Sequence, residues 1–282
     1  MPYGYTTYLE DNHYSQETVN DYKKIINLFF QFIDDLYGKQ KEIFQISPKD
    51  IKDYLERLKD DGSSINTVNK HLSILKGFFD YLWENDKIPV DPAMKIKRHK
   101  VVEEEKEFDI SYEMLLQILP QVLSNPKYSL LRKVIFILAM KGLRHTEFQI
   151  LKDNIEDLGE EVLIKFKKYS LKLAGEEGEY FLSYYFESNF NGSDYVFTTK
   201  KHDESIVPIE HMSIYTHLNA ITDEFKLPSK ITLNGIRHSY AYYLYINKKY
   251  PIQKIAETLR IENVSASHLV KISMNRHKQK IS

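Results

Sequence analysis

The sequence contains no cysteine in its 282 residues. This absence excludes disulfide bonds, thiolate metal ligands and cysteine nucleophiles, and it fits a reducing compartment. No apolar run approaches the length that spans a membrane, and the N-terminal residues lack the basic and then apolar order of a signal peptide. We therefore expect a cytoplasmic protein.

Net charge of one sign is also missing, because 39 Lys and Arg stand against 40 Asp and Glu, which gives −1. This balance argues against a uniformly basic nucleic-acid-binding protein, although it is compatible with a local basic face. The ten histidines are scattered without metal-ligand spacing, and the glycines form no dinucleotide or phosphate-loop motif. We expect neither a metal site nor a cofactor.

The first third of the chain has apolar residues at helical spacing. It predicts helices over 16–37, 47–61 and 64–86, of which the first two can be capped by Ser15 and Ser47. Two prolines then end the pattern, and a segment that changes from basic to acidic follows them. The sequence therefore predicts a helical domain over 1–94, a linker over 95–108 and a larger domain over 109–282.

The larger domain is predicted to be helical with one small sheet. Helical spacing covers 111–123, 128–155 and 208–225, with a break at Gly142 and a new helix beginning around Glu147, Ile150 and Leu151, and two or three further helices follow residue 232. The β-rich stretches 160–170 and 179–186 predict an antiparallel hairpin or meander. The predicted fold class is mainly α with a small antiparallel β-sheet.

Two arginines at predicted helix starts are the strongest candidates for binding residues. Arg144 follows the break at Gly142, and Arg237 opens a later helix beside His238. Guanidinium groups bind phosphate oxygens with two parallel hydrogen bonds, and the nearby hairpin adds Lys165, Lys167 and Lys168. The alternative for each arginine is a structural ion pair, for example with Glu147, and His238 can equally be a packed or capping residue.

Four stretches together resemble the tyrosine recombinase, or phage integrase, family over nearly the whole chain. They are "NTVNKHLSILKGFFDYLWENDKIPVDPAMKIKR" (66–98), "KGLRHTEFQILKDNIED" (141–157), "LNGIRHSYAYYLY" (233–245) and "IQKIAETLRIENVSASHLVKI" (252–272). The first resembles the family's SAM-like core-binding domain. The second and third resemble the segments that carry its two catalytic arginines, at Arg144 and Arg237. The resemblance implies a two-domain, C-shaped clamp around duplex DNA.

The same comparison shows where the sequence departs from the family. The family has His or Lys where this chain has Asn234, a histidine where it has Ile261, and its tyrosine nucleophile at or beside Val270. Because phosphoryl transfer needs the attacking phenolate and donors to the transition state, we expect a pseudoenzyme without recombinase activity. The alternative is a substitute nucleophile among Tyr240, Tyr242, Tyr243, Tyr245 and Tyr250, of which Tyr240 and Tyr245 lie at predicted core positions.

The N-terminal domain carries a second set of predicted DNA contacts. One face of its third helix presents an exposed polar row that can reach base edges in the major groove. This row consists of Asn66, Asn69, Lys70, Ser73 and Lys76. Phosphate contacts are predicted at Lys23 and Lys24 on the first helix and at Lys97 and Arg98 in the linker. The alternative is an ordinary solvated helix face.

These observations predict a sequence-specific double-stranded-DNA-binding protein. The resemblance extends to the recombinase-like master repressors of SPβ-type temperate phages, which implies a transcriptional repressor that maintains prophage lysogeny and associates with the nucleoid. A recombinase or accessory recombination factor and a protein-interaction module remain alternatives. The basic tail 271–282 contacts DNA, packs on a neighbouring protomer in a homodimer or higher oligomer, or makes no fixed contact.

Overall fold

The computed structural model describes residues 2–38, 41–101 and 110–278. The chain divides into two compact units, residues 1–104 and 105–282. Each unit has its own apolar core, and the two are described separately below.

All the regular elements of the first unit within its described residues are helices. Its elements are a short 3-10 helix at Pro2–Gly4, then α1 (Tyr5–Asp11), α2 (Gln16–Tyr37), a 3-10 helix at Ile43–Gln45, α3 (Pro48–Asp60) and α4 (Ile65–Glu84). The hydroxyls of Ser15, Ser47 and Ser64 cap α2, α3 and α4 by accepting backbone N–H groups of the first turn. The helices predicted from periodicity in this region are confirmed.

Part of the predicted linker packs against α4. Ile96 is buried in the core of the first unit, and Lys76 on α4 donates a hydrogen bond to the Met94 carbonyl at 3.1 Å. The Asn69 amide binds both the N–H and the carbonyl of His99, each at 2.9 Å. The boundary predicted at residue 94 therefore falls inside a segment held to α4. Residues 102–108 of the predicted linker lie outside the described residues.

The second unit combines helices with two small antiparallel sheets. Its elements are α5 (Tyr112–Ser124), α6 (Leu130–Met140), β1 (Ile155–Asp157), β2 (Glu161–Lys165), β3 (Ser170–Ala174), α7 (Gly175–Ser188), β4 (Thr198–Lys200), β5 (Ile206–Pro208), α8 (His211–Glu224), α9 (Leu233–Ile246), α10 (Ile252–Leu259) and α11 (Asn263–Lys278). Strands β1, β2 and β3 pair in that order, and β4 pairs with β5. Helix α6 is buried on all sides from Lys133 to Met140, as the apolar run over 135–139 predicts.

Two predictions about the second unit are wrong. Residues 179–186 lie in helix α7, where Phe181 is buried in the core, and the second strand of the hairpin is β3 instead. No α-helix begins at Glu147. The chain there forms 3-10 helices at His145–Phe148 and Lys152–Asn154, because Leu151 bridges to Tyr195 and the backbone then enters β1.

The last three helices pack on each other through a small apolar cluster. Its buried members are Ala241, Leu244, Ile255, Ala256, Leu259, Ala266 and Val270. The prediction of a mainly α fold with a small antiparallel sheet is confirmed, with 61% of residues in helices. Within the described residues, no helix has the length and apolar character needed to cross a membrane.

Candidate functional site

An open cleft of about 1090 Å³ lies at the corner between α10 and α11 in the second unit. The turn between β2 and β3 contributes Lys168 and Tyr169, the chain after α6 contributes Arg144, and the corner itself contributes Arg260 and Ile261. Lys167 is exposed at the same turn, but Lys168 is the predicted hairpin lysine that lines the cleft. Three segments far apart in sequence thus bring cationic side chains to one place.

Arg144 caps the 3-10 helix that follows the turn at Gly142. Its guanidinium donates to the Glu147 carboxylate at 3.0 Å, and its backbone N–H donates to the other oxygen of that carboxylate at 2.7 Å. The Arg144 side chain remains 52% exposed. The predicted ion pair with Glu147 therefore forms, and it still leaves guanidinium N–H groups directed to solvent and the cleft.

Glu147 connects Arg144 to the hairpin. The Tyr169 hydroxyl donates to the Glu147 carboxylate at 2.7 Å. Burial alone raises the pKa of Glu147, but the hydrogen bonds from Arg144 and Tyr169 outweigh it and leave the pKa below its ordinary value. Glu147 is therefore an anion that fixes Arg144 and Tyr169 in position.

Arg237 lies beneath this pair and is only 8% exposed. Its Nη1 donates to the Gly142 carbonyl at 2.5 Å, and its Nη2 donates to the Leu259 carbonyl at 3.3 Å. Burial lowers the pKa of Arg237, which reflects the cost of an incompletely solvated cation. The structure thus brings Arg237 to the turn that carries Arg144, as the sequence predicts, and gives it a structural role as well.

His238, the residue after Arg237, is half-buried against α11. Its Nδ1 is 3.2 Å from the Ser273 hydroxyl. Burial is the main cause that lowers the pKa of His238 to about 4, and the neighbouring charges of Arg276 and Arg237 add to it. His238 is therefore neutral at physiological pH, and its packing against α11 is the alternative that the sequence left open.

Sequence reasoning missed Arg260, which ends α10 in the left-handed backbone conformation with φ of 57°. Its Nη2 donates to the Lys141 carbonyl at 2.6 Å, and its guanidinium carbon lies 5.0 Å from the centre of the Tyr169 ring. A single arginine beside a predicted helix end carries no pattern of its own. Only the fold brings it next to the turn at Gly142.

The three positions predicted to depart from the family, Asn234, Ile261 and Val270, lie in different environments. Asn234 is exposed in the first turn of α9, and Ile261 is half-buried at the edge of the cleft. Val270 on α11 is 4% exposed and belongs to the apolar cluster. None of these side chains carries a group that ionises to a nucleophile.

None of the tyrosines named as alternative nucleophiles is among the residues that line the cleft. Tyr240 is stacked on Tyr112 with ring centres 4.4 Å apart, and Tyr245 is 38% exposed, which corrects its predicted core position. Among the cleft-lining residues that the structure describes, Tyr169 is the one tyrosine. Burial and the hydrogen bond to Glu147 raise the pKa of Tyr169 far above its ordinary value, which disfavours a phenolate.

The polar row on α4 is only partly exposed, which corrects the sequence-based prediction. Asn66 and Lys70 are exposed, and Lys70 pairs with Asp21 on α2 at 2.6 Å. The remaining three residues are half-buried. Asn69 and Lys76 hold the segment after residue 93, and the Ser73 hydroxyl accepts a hydrogen bond from Arg98 at 2.9 Å.

A more continuous polar surface lies on α2. Lys23 and Lys24 are exposed and line a shallow depression with Asn20, Asn27 and Gln31. Lys97 is exposed on the segment that follows α4. These residues keep their predicted role in DNA contact as a prediction.

Comparison with known proteins shows that the chain has a fold already seen in solved structures of site-specific recombinases. Residues 3–85 match the phage integrase N-terminal SAM-like domain. The chain superposes with a TM-score of 0.67 on the XerH site-specific recombinase in a post-cleavage complex with palindromic difH substrate, at 18% identity over 94% of this chain and 80% of that one. It superposes with a TM-score of 0.66 on a lambda integrase dimer bound to a COC' core site, at 14% identity over 94% of this chain and 74% of that one. These superpositions define the two-domain fold of tyrosine recombinases.

Relatives in sequence extend over most of the chain. The tyrosine recombinase XerD of Oceanobacillus iheyensis is 24% identical over 245 residues, which cover 83% of this chain and 80% of the relative. The tyrosine recombinase XerC of Leptospira interrogans is 25% identical over 281 residues, covering 96% and 87%. The chain thus has the fold of tyrosine recombinases and is similar in sequence to members of the tyrosine recombinase/integrase family over most of its length.

Proposed function

We propose that this protein binds specific double-stranded DNA through its recombinase fold without cutting it, and that it acts as a transcriptional repressor of the kind that maintains lysogeny. The observation that carries the proposal is a contrast within the second unit. Arg144 lines the cleft beside the buried Arg237, whereas the α11 position expected to hold the nucleophile is the buried Val270. This contrast supports a protein that keeps cationic groups for phosphate but has no hydroxyl at the α11 position where the resemblance expects the nucleophile.

Duplex DNA as the partner is supported by the chemistry of both units. Guanidinium and ammonium groups neutralise phosphates; the first unit carries the exposed Lys23, Lys24 and Lys97, and the second unit separately carries Arg144, Lys168 and Arg260 in its cleft. The lambda integrase and XerH structures contain those proteins bound to their DNA sites. A near-zero net charge makes specific contacts more important than non-specific attraction, which suits a regulator that must leave most of the genome unbound.

The experiment that tests this function selects genomic fragments retained by the purified full chain at near-physiological salt and sequences them. A short recurring motif concentrated upstream of genes is the expected result. Enrichment of one attachment-like junction would contradict the repressor function, and no enrichment above input would contradict DNA binding itself. The Lys23→Gln, Lys24→Gln double variant is expected to retain the motif but bind it more weakly, because phosphate contacts carry little sequence information.

Site-specific recombination is the second candidate, because the relatives named above are tyrosine recombinases. In that case Tyr169 is the tyrosine that reaches the cleft. A covalent protein–DNA species that persists in a denaturing gel with wild type and disappears with Tyr169→Phe would establish this activity. Its absence with wild type on a nicked duplex of the selected sequence would contradict it.

A further inference from the structure

We infer that Arg260 is a third phosphate-binding arginine of the cleft and that it binds a backbone phosphodiester of DNA together with Arg144. This inference rests on the proposed DNA-binding function and adds to it a residue that neither the motifs nor the family resemblance assigns.

The backbone at Arg260 has an unusual conformation for a residue with a long side chain. Its φ of 57° and ψ of 47° lie in the left-handed region, which disfavours residues with a Cβ atom and favours glycine. The side chain reaches the turn after α6, where Nη2 binds the Lys141 carbonyl and the guanidinium lies over the Tyr169 ring. These contacts hold the guanidinium at the cleft, where a phosphate could accept from its remaining N–H groups.

Arg260 and Arg237 hold the same turn from two sides. Arg260 donates to the carbonyl of Lys141, and Arg237 donates to the carbonyl of Gly142. Arg144 follows two residues later. The positively charged groups therefore converge on one four-residue segment, and Arg260 and Arg144 both line the cleft that this segment borders.

The charges in this cluster do not balance. Three guanidinium groups face one carboxylate, that of Glu147, which pairs with Arg144. Among the residues that the structure describes, no carboxylate lies within ion-pair distance of Arg237 or Arg260. The Arg260 Nε is buried with no hydrogen-bond acceptor. Such a surplus of cations in a partly desolvated place attracts an anion more strongly than isolated surface charges do.

Two acidic residues on the cleft wall limit the size and direction of that attraction. Glu257 and Glu262 both line the cleft and both are exposed. Glu257 lies on α10 and Glu262 lies in the corner between α10 and α11. Solvent screens the charges of these exposed carboxylates more than it screens the charge of the half-buried Arg260. We therefore place the phosphate between Arg260 and Arg144, on the side of the turn after α6.

Arg260→Gly is the informative variant, because glycine adopts the left-handed backbone conformation without strain. The relief of strain opposes the loss of the hydrogen bond to Lys141, so the fold is expected to persist. The matched control is Lys254→Gln, which removes one positive charge from the same helix at a residue that lies over the Tyr250 ring and does not line the cleft. Both variants are tested in the full chain.

The measurement is the affinity for a duplex of the selected sequence across a range of salt concentrations. A plot of log affinity against log salt concentration has a negative slope. Loss of one phosphate contact makes this slope less steep by about 1, and it weakens binding by about tenfold or more. We expect this change for Arg260→Gly and a smaller change for Lys254→Gln. An unchanged slope for Arg260→Gly, with wild type bound to the duplex, would overturn the inference and leave the proposed function intact.

A second experiment tests whether the arginine cluster binds phosphate independently of DNA binding. Inorganic pyrophosphate is titrated into wild type and Arg260→Gly, and hydrogen exchange is followed in the peptides that cover 141–148 and 255–263. Protection in wild type that is lost in Arg260→Gly supports the cluster. If that protection occurs while duplex DNA does not bind, the proposed function fails and the cluster binds a free phosphate compound. If neither pyrophosphate nor duplex protects these peptides, the inference fails, and the proposed function fails with it only where the duplex also does not bind.

Discussion

Replacing Arg237 is expected to weaken the fold of the second unit as well as DNA binding. Its guanidinium is 8% exposed and donates to the carbonyls of Gly142 and Leu259, so Arg237→Met removes the donor from both. A buried carbonyl without its partner costs about 1–3 kcal/mol. Removal of a buried cation offsets part of this cost, since burial lowers the pKa of Arg237. The expected net loss is about 2–4 kcal/mol.

Arg144→Met is the matched control, because it removes the same group from the same site. Its side chain is 52% exposed, and its one ion pair is with Glu147. Glu147 is only 10% exposed, but without the guanidinium it keeps the hydrogen bonds from the Arg144 N–H and the Tyr169 hydroxyl, so a loss of about 1 kcal/mol is expected. Both variants are expected to lose DNA affinity, and Arg237→Met is expected to lose more stability than Arg144→Met.

Hydrogen exchange in the full chain measures this difference directly. Peptides from α9 (233–246) report on the second unit, and peptides from α4 (65–84) in the other unit serve as an internal reference. A loss of 2–4 kcal/mol corresponds to roughly 30- to 1000-fold faster exchange in α9 where exchange follows the opening free energy. Exchange in Arg237→Met that equals exchange in Arg144→Met would refute the structural role of Arg237.

Three further predictions follow from particular contacts. Gly142→Ala is expected to destabilise the second unit by about 1–3 kcal/mol, because Gly142 has φ of +77° and an added Cβ would lie 3.0 Å from Leu259; thermal unfolding with unchanged stability would contradict this. The pKa of His238 is about 4 in the folded chain, against an ordinary 6.5. As the pH falls, this histidine therefore binds a proton in the unfolded chain before it does so in the folded chain. Stability is expected to be lost between about pH 6.5 and pH 4, by up to about 3 kcal/mol. A His238→Gln variant is expected to lack this share of the pH dependence, and identical pH profiles would contradict the assignment. Asn69→Ala is expected to speed hydrogen exchange about tenfold in the peptide that covers His99, through loss of two hydrogen bonds, whereas an unchanged rate would show that Ile96 alone holds that segment.

The helices of the first unit could be predicted from the sequence, because their signals are local. In α4 the apolar residues alternate in steps of three and four, and Ser64 caps the first turn. The linker over 95–108 is predicted from the two prolines before it and from its change from basic to acidic residues. The attachment of the segment after residue 93 depends on Asn69 and Lys76, which lie on α4 and give no sign in the sequence that they bind backbone groups.

The candidate site could be predicted only in part. Arg144 and Arg237 follow from motif order, but their meeting depends on the turn at Gly142 and the end of α10. The aromatic residues over 179–186 have high β-propensity and so predict a strand. The structure has helix α7 there instead, because this helix buries Phe181 in the core. Arg260 could not have been found from sequence, since its role depends on a left-handed backbone corner and on contacts with residues more than ninety positions away.

The most direct test of the central claim combines binding and cleavage in one sample. The purified chain is mixed with a radiolabelled, nicked duplex that carries the selected sequence, and the sample is divided between a native and a denaturing gel. We predict a retarded complex in the native gel and no covalently linked species in the denaturing gel, because the family resemblance aligns the buried Val270 with the nucleophile. A protein-linked DNA species in the denaturing gel would contradict the account and identify the protein as a recombinase.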